Sequence, residues 1–226
     1  MKPSVIVFDV NETLSDMAPM AQRFVEVGAP AHLAKLWFAT LLRDGFALTA
    51  AGDKGTFATI GAEALRCLFT AEDLDRDTES AVQHVMAGFS GLGLHPDVAE
   101  GVEALRSAGY RLATLTNGST QVAEKLFTNA GIRGSFEVLL SVEDAPGWKP
   151  GKASYHYAAE ACGAAPEQML LVAVHPWDIH GASRAGLATA WLNRSGARYP
   201  DYFQAPDHTL SYLAELAPVL VQSRDS

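Results

Sequence analysis

Short, continuous runs of apolar residues recur along the chain and predict buried β-strands. Each run has the length of a strand and ends in a polar or small residue; the five runs span 4–9, 110–117, 136–142, 168–174 and 187–193. Apolar residues that follow one another without polar alternation are typical of strands covered on both faces, as in a parallel sheet.

Segments with helical spacing lie between these runs, at 95–109, 119–132, 152–164 and 179–186. The second segment starts with Ser and Thr, and the first two end at glycines, as is common at helix termini. Strands that alternate with helices predict an α/β fold: a doubly wound, Rossmann-like parallel sheet that binds ligands at the carboxyl ends of its strands.

Residues 15–95 interrupt this alternation, because they contain helical segments and no convincing strand. We interpret them as a helical cap domain inserted after the first strand. The core would then comprise residues 1–14 and 96–226. A cap in that position would exclude water from chemistry at Asp9, the residue that ends the first apolar run.

Composition and charge narrow the class of protein. The chain has 226 residues, of which 48% are apolar and 19% charged, which is ordinary for a soluble enzyme. A formal net charge of −9 without any block of Lys and Arg disfavours nucleic acid and anionic membranes as partners. No apolar run approaches the roughly 20 residues of a membrane span, and the first strand starts by residue 5, so we expect neither a transmembrane segment nor a signal peptide. Cys67 and Cys162 lack the spacing of metal ligands and are predicted to be reduced, in a cytoplasmic protein.

Polar residues whose side chains can take part in catalysis follow four of the predicted strands. They are Asp9 with Asn11, Glu12 and Thr13; Thr116 with Asn117; Lys149; and His175 with Trp177 and Asp178. The carboxyl ends of parallel strands meet at one edge of a sheet, so these side chains are expected to lie close together. A carboxylate, a hydroxyl, an amide, an ammonium and a second acid in that arrangement predict an active site.

The same loops carry four sequence motifs: FDVNETL (8–14), LTNGS (115–119), WKPGKASY (148–155) and VAVHPWDIHGASRAGLATAWLNR (172–194). In this order they resemble the motifs of the haloacid dehalogenase superfamily, and within it those of the L-2-haloacid dehalogenase group. The resemblance covers nearly the whole chain and is vaguest in the cap.

The resemblance implies hydrolysis of small 2-haloacids, such as haloacetate or L-2-halopropionate, to 2-hydroxyacids. Asp9 would attack the carbon that carries the halogen and form an ester, which water then hydrolyses. Lys149 would keep Asp9 ionised, and Asp178 would fix Lys149 or the water. The other residues expected to bind Asp9, substrate or halide are Asn11, Thr13, Thr116, Asn117, Tyr155 and Trp177, the last being equally suited to interior packing. The resemblance also implies a reaction without metal or cofactor, and a homodimer.

Asn11 distinguishes this chain from the phosphatases of the same superfamily. Those enzymes resemble one another in carrying a second Asp, two residues after the nucleophile, as general acid for the leaving alcohol. An amide cannot donate a carboxylic proton, whereas a departing halide needs none. The missing carboxylate also weakens a magnesium site, so no metal is expected. A phosphatase or phosphonate hydrolase, and a non-catalytic member that binds a small acid, are the alternatives.

Two motifs depart from the L-2-haloacid dehalogenase group. The Ser and Asn of the group's Ser-x-Asn-x-Trp-Asp motif are replaced by Ala173 and His175, and the Tyr-Gly before the Thr of the first motif is replaced by Asn11 and Glu12. We hypothesise a dyad in which His175 accepts a proton from the attacking water and Glu12 orients the imidazole. The alternative is that His175 fills space and Glu12 faces solvent or caps a helix.

The cap contains a further substitution. The group carries an arginine on its first cap segment that is thought to bind halide and carboxylate, and a loose alignment puts His32 there. His32 is therefore a candidate for binding substrate or halide, or else a surface histidine at a helix start. Three aromatic residues of the cap could line an apolar pocket, although interior packing is favoured for them: Trp37, Phe38 and Phe57.

Overall fold

Six parallel strands form one sheet in the larger of two units of the computed structural model, which describes residues 3–222. That unit comprises the chain up to Ser15 and from Leu94 onward, and the smaller unit is Asp16–Gly93. The strands are β1 (Val5–Phe8), β2 (Arg111–Thr116), β3 (Val138–Ser141), β4 (Met169–Ala173), β5 (Ala188–Leu192) and β6 (His208–Leu210). Every neighbouring pair is parallel, in the order β3-β2-β1-β4-β5-β6, which confirms the predicted doubly wound α/β fold.

The strand order defines one switch point. Phe8 at the end of β1 pairs with Thr114 of β2 on one side and with Val172 of β4 on the other. The chain continues outward through β2 and β3, and then returns to the opposite side of β1 for β4. A crevice beyond the carboxyl ends of the strands at such a point is the usual ligand site of open α/β sheets.

The smaller unit is helical throughout. Its helices are α1 (Met20–Val25), α2 (Leu33–Ala51), α3 (Phe57–Phe69) and α4 (Thr78–Phe89). Trp37, Phe38 and Phe57 are buried. Phe38 contacts both of the other two rings, Trp37 also contacts Phe24 and Phe89, and Phe57 stacks on Phe89, so these aromatic residues form the interior of this unit. The predicted role of the unit as a cap over Asp9 stays a prediction.

Helices flank both faces of the sheet in the larger unit. They are α5 (Val98–Ser107), α6 (Thr120–Asn129), α7 (Lys152–Ala161), α8 (Pro176–Ala185) and α9 (Leu216–Gln222). Apolar residues of α5, α6 and α9 share one core with Ile6 and Phe8, whereas α8 packs on β4 and β5 and contacts α7. Within residues 3–222, no helix has both the length and the apolarity needed to cross a membrane.

Three elements differ from the sequence-based expectation. Strand β6 has three residues and helix α9 has seven, and both are too short to show a periodic pattern. Helix α8 was expected to begin at 179 but begins at Pro176, because proline has no N–H to lose and its fixed φ suits the first helical position. Asp178 therefore lies in the first turn of α8, and His175 is the residue that precedes this helix.

Candidate active site

Asp9 follows β1 directly and lies at the switch point, with its side chain 4% exposed. The Thr13 hydroxyl donates to Asp9 Oδ2 at 2.6 Å, and Lys149 Nζ donates to Oδ1 at 2.8 Å. Thr13 Oγ1 in turn accepts from the main-chain N–H of Val174 at 3.1 Å, so its own proton is directed to Asp9. Donors on both oxygens hold the carboxylate in one orientation and favour its ionised form.

Lys149 is fully buried between two carboxyl groups. Besides Asp9, its Nζ donates to Asp178 Oδ2 at 2.6 Å. The buried Tyr155 hydroxyl donates to Asp178 Oδ1, also at 2.6 Å. Gly181 permits this close packing of α7 on α8, because a Cβ there would lie 2.6 Å from the Tyr155 oxygen. Tyr155 thus hydrogen-bonds Asp178, which in turn hydrogen-bonds Lys149.

His175, at the start of α8, joins Asp9 to Glu12. Its Nδ1 lies 3.2 Å from Asp9 Oδ2, and its Nε2 lies 2.8 Å from Glu12 Oε2. The Trp177 ring stacks on the imidazole, with centroids 4.9 Å apart and planes inclined by 27°. Both ring nitrogens therefore face a carboxyl group, and the ring plane is held from one side.

These contacts form a row in which carboxyl groups alternate with cationic side chains. The row, called the charge row below, comprises Asp178, Lys149, Asp9, His175 and Glu12 in spatial order. Exposure increases along it, from fully buried at Asp178 to 12% at His175 and 42% at the Glu12 side chain. Asp9 is the central member and contacts both cations, so any change in its charge affects both halves of the row.

The two buried cations hold Asp9 ionised. Burial alone would raise the pKa of Asp9, but Lys149 and then His175 outweigh it and keep this pKa well below its usual range. Burial alone would lower the pKa of Lys149, whereas Asp178 and Asp9 raise it, so the ammonium form is favoured. Asp178 is affected in the opposite sense, because burial raises its pKa and Lys149 offsets only part of this effect.

His175 is an imidazolium when Asp9 is ionised. Burial alone would lower the pKa of His175, but its hydrogen bonds to Asp9 and Glu12 raise this pKa to about 9. Asp9 raises this pKa through a hydrogen bond and through electrostatic attraction, and the attraction exists only while Asp9 carries a negative charge. A neutral Asp9 would therefore leave His175 easier to deprotonate.

Glu12 occupies an unusual backbone conformation. Its φ is 62°, and it is the only non-glycine residue within 3–222 with a positive φ. The left-handed region brings Cβ close to the following carbonyl oxygen and costs an L-residue about 1–2 kcal/mol. The strain stands at the position where the first motif of the L-2-haloacid dehalogenase group has a glycine.

The loop after β2 contacts the loop that carries Lys149. Asn117 pairs with the main chain of Lys149: its Oδ1 accepts from the Lys149 N–H at 3.1 Å, and its Nδ2 donates to the Lys149 carbonyl at 3.3 Å. The Thr116 hydroxyl accepts from the N–H of Gly118 at 2.9 Å. Asn11 is buried beside this loop, since a Cβ on Gly118 would lie 3.3 Å from Asn11 Nδ2. Substrate or halide binding by these three polar side chains stays a prediction.

Two side chains that sequence reasoning did not assign to the site hold the turn after β1. His95 Nε2 lies 3.0 Å from the carbonyl oxygen of Glu12. The Arg194 guanidinium donates to the carbonyl oxygen of Thr13 at 3.0 and 3.2 Å and to Asp97 Oδ1 at 2.8 Å. The fourth motif included Arg194 as its last residue, whereas no local pattern marks His95, which is 83 positions from its partner.

His32 lies in the smaller unit, immediately before α2, and its side chain is exposed. Its side chain accepts no capping hydrogen bond from the N–H groups of that helix. The role of His32 in binding substrate or halide stays a prediction.

The chain is similar to known proteins over nearly its whole length. A family model described as haloacid dehalogenase-like hydrolase matches residues 3–186. Haloacetate dehalogenase H-2 of Moraxella sp. (strain B) is 32% identical over 211 residues, which cover 92% of this chain and 94% of that protein. The (S)-2-haloacid dehalogenase of Pseudomonas putida is 31% identical over 222 residues, or 97% of each chain. A solved dehalogenase structure with an intermediate complex has a TM-score of 0.89 at 29% identity, and the match covers 96% of this chain and 97% of that one.

Proposed function

The chain belongs to the haloacid dehalogenase-like hydrolases, and from that premise we propose that it hydrolyses small 2-haloacids of the haloacetate or L-2-halopropionate type to 2-hydroxyacids. Its relatives at 31% and 32% identity are an (S)-2-haloacid dehalogenase and a haloacetate dehalogenase. The observation that carries the proposal is the buried Asp9 carboxylate, which is held ionised between Lys149 and His175. This arrangement supports a nucleophile for displacement at carbon.

In the first step, Asp9 displaces the halide from the carbon next to the substrate carboxylate. A carbon–oxygen bond forms, the carbon–halogen bond breaks, and the halide leaves with the bonding electron pair. Oδ1 is better placed to attack than Oδ2, because Oδ2 accepts hydrogen bonds from both Thr13 and His175, whereas within residues 3–222 Oδ1 accepts one, from Lys149. The product is an ester on Asp9, which is no longer charged.

Loss of that charge prepares the second step. The proton on His175 Nδ1 loses its carboxylate partner and leaves to solvent, while Nε2–H stays on Glu12. The deprotonated Nδ1 then accepts a proton from water as the water oxygen attacks the ester carbonyl carbon. When the intermediate collapses, one proton of the water ends on the product hydroxyl and the other on His175, and Asp9 is again a carboxylate. The oxygen that leaves in the product came from Asp9.

A magnesium site, which the phosphatase alternative would require, does not fit this set of side chains. Both oxygens of Asp9 accept hydrogen bonds from protein donors, and the position two residues later is the amide Asn11. Mg²⁺ prefers an octahedral shell of oxygen ligands with carboxylate charge. No step of the proposed reaction therefore passes through a metal.

Halide release from haloacetates and from L- and D-2-chloropropionate, measured with EDTA present, tests the proposed function. We expect equal amounts of halide and 2-hydroxyacid, unchanged by the chelator. Hydrolysis of p-nitrophenyl phosphate with added magnesium, in the absence of halide release, would instead indicate the phosphatase alternative. Activity on neither class of substrate, together with no mass gain on Asp9, would indicate a non-catalytic protein that binds a small acid.

The two steps should differ in their dependence on pH. Alkylation needs the Asp9 carboxylate, whose pKa is lowered, so its rate should stay constant well into acid. Ester hydrolysis needs neutral His175, so its rate should rise with pH, through a pKa below the value of about 9 in the resting site because the Asp9 charge is gone. Single-turnover halide release reports the first step, and quenched samples analysed by mass report the second. An ester lifetime that does not change between acidic and alkaline solution would contradict a titrating base.

Glu12→Gly should separate stability from activity. Removing the carboxylate leaves His175 without its orienting partner, and we expect ester hydrolysis to slow about 10- to 100-fold. The same change removes the left-handed strain, because glycine adopts a positive φ without cost. The free energy of unfolding of Glu12→Gly should therefore exceed that of Glu12→Ala by about 1 kcal/mol, measured by chemical denaturation.

Glu12→Ala is the matched control for this pair, because it also lacks the carboxylate but keeps a Cβ at φ 62°. Both variants should show the same slow hydrolysis and unchanged alkylation. If the alanine variant hydrolysed the ester as fast as the parent, Glu12 would have no part in the second step.

A further inference from the structure

His95 is attached to the turn after β1 by two contacts. Its main-chain N–H donates to the Leu14 carbonyl at 2.9 Å, and its Nε2 lies 3.0 Å from the Glu12 carbonyl oxygen. A carbonyl oxygen only accepts, which assigns the proton to Nε2. The imidazole of His95, a residue just before α5 in the same unit, therefore donates to the main chain of Glu12.

The contact falls on the main-chain carbonyl of Glu12 itself, which is bonded to the Cα that carries the Glu12 side chain. Glu12 combines a left-handed backbone with a half-exposed carboxylate that lies 2.8 Å from His175. Without an external constraint, a glutamate would relax toward the α or β region, and its long side chain would gain rotamer freedom in solvent. Either change would move the carboxylate away from the imidazole.

The neighbouring carbonyl is fixed independently. Arg194 donates to the Thr13 carbonyl, and the Thr13 hydroxyl accepts from the Val174 N–H. Asp9, Thr13 and Lys149 therefore keep their mutual contacts by a route that does not pass through His95. Loss of the His95 hydrogen bond should therefore change the position of Glu12 and leave the contacts of Asp9 unchanged.

We propose that His95 is a positioning residue for ester hydrolysis, because its bond to the Glu12 carbonyl holds Glu12 in the conformation that presents its carboxylate to His175. This inference rests on the proposed function, since it concerns the second step of that reaction. His95 touches no reacting atom; it acts through Glu12, which acts through His175.

The test compares His95→Leu, which removes the donor, with His95→Gln, whose amide nitrogen can replace Nε2. In single-turnover experiments we expect His95→Leu to leave alkylation unchanged and to slow ester hydrolysis about three- to tenfold, the effect of losing one neutral hydrogen bond. His95→Gln should restore most of the parent rate. His95→Asn, whose shorter amide does not reach as far, should behave like the leucine variant and provides the same comparison if leucine is poorly tolerated.

His156→Leu is the matched control. His156 makes the same kind of contact, with Nε2 3.2 Å from the Ala185 carbonyl, but on the exposed side of α7. Its loss should change neither step. Equal slowing by His156→Leu and His95→Leu would overturn the inference, because it would show a general effect of removing such bonds.

A double-mutant cycle with Glu12→Gly gives the sharpest result. That background has no carboxylate to position, so adding His95→Leu should have no further effect on ester hydrolysis. The inference is overturned if His95→Leu slows hydrolysis equally in both backgrounds, if it slows alkylation and hydrolysis equally, or if it has no effect in the parent. The parent protein is measured alongside, and its failure to release halide would overturn the proposed function itself.

Discussion

His175→Ala is expected to stop the reaction halfway, with one halide released per active site and the substrate skeleton left as an ester on Asp9. The variant keeps the Asp9 contacts to Lys149 and Thr13, which are the contacts needed for attack. It lacks the group whose Nδ1 faces Asp9. Loss of a general base slows a step about 10²- to 10⁴-fold, so hydrolysis of the ester should become the slow step by far.

Intact-protein mass measured after mixing with L-2-chloropropionate should show a gain equal to the substrate less its halide, and peptide mapping should place it on Asp9. His180→Ala is the control, because His180 lies on the same helix and accepts from the Gln204 N–H away from the charge row. The control should turn over normally without mass gain. Loss of all alkylation in His175→Ala would instead assign His175 to the first step.

Lys149→Met should slow alkylation strongly and destabilise the fold. The substitution leaves Asp9 and Asp178 buried without the cation that bonds both, and removing one partner of a buried ion pair costs about 3–5 kcal/mol. The pKa of Asp9 would then rise because burial is no longer offset by Lys149, and a protonated carboxyl group is a poor nucleophile. Halide release should fall by about 10²- to 10³-fold.

The double variant Lys149→Met/Asp178→Asn separates the two effects. It removes one of the two stranded carboxyl groups, so part of the lost free energy of unfolding should return, while the nucleophile still lacks its cation and activity should not. Chemical denaturation and halide release are measured on both variants. If Lys149→Met unfolded at the same denaturant concentration as the parent, the charge row would contribute nothing to stability.

The strand ends of the site could be predicted because they are marked locally. Continuous apolar runs placed Asp9 directly after β1 and His175 just beyond the end of β4, and parallel pairing then required both to meet at one edge of the sheet. Lys149 and Asp178 could be proposed as site residues from their positions in the motifs, and Lys149 also because a buried Asp9 carboxylate needs a cation beside it. The main chain of the larger unit was predictable for the same reason.

Contacts between residues that are distant in the sequence could not be predicted from local patterns. Nothing near His95 indicates that its ring reaches Glu12, and the amide of Asn117 gave no sign that it would pair with the Lys149 main chain. The start of α8 was missed because Pro176 has the character of both a helix breaker and a first-turn residue. The left-handed backbone of Glu12 runs against the intrinsic preference of glutamate, so only the surrounding structure could reveal it.

The strain at Glu12 also constrains the evolutionary route to this site. If an ancestral chain held Gly at position 12 and Asn at position 175, as in the group that the motifs resemble, the Glu12–His175 pair arose by one substitution at each of these two positions. A glutamate arriving first would carry the full cost of the left-handed backbone with no imidazole to bind. A histidine arriving first would already have the Asp9 carboxylate and the Trp177 ring beside it. The intermediate in which His175 arises first should therefore lose less stability than the one in which Glu12 arises first. We expect the ancestral intermediate to have had Gly at position 12 and His at position 175.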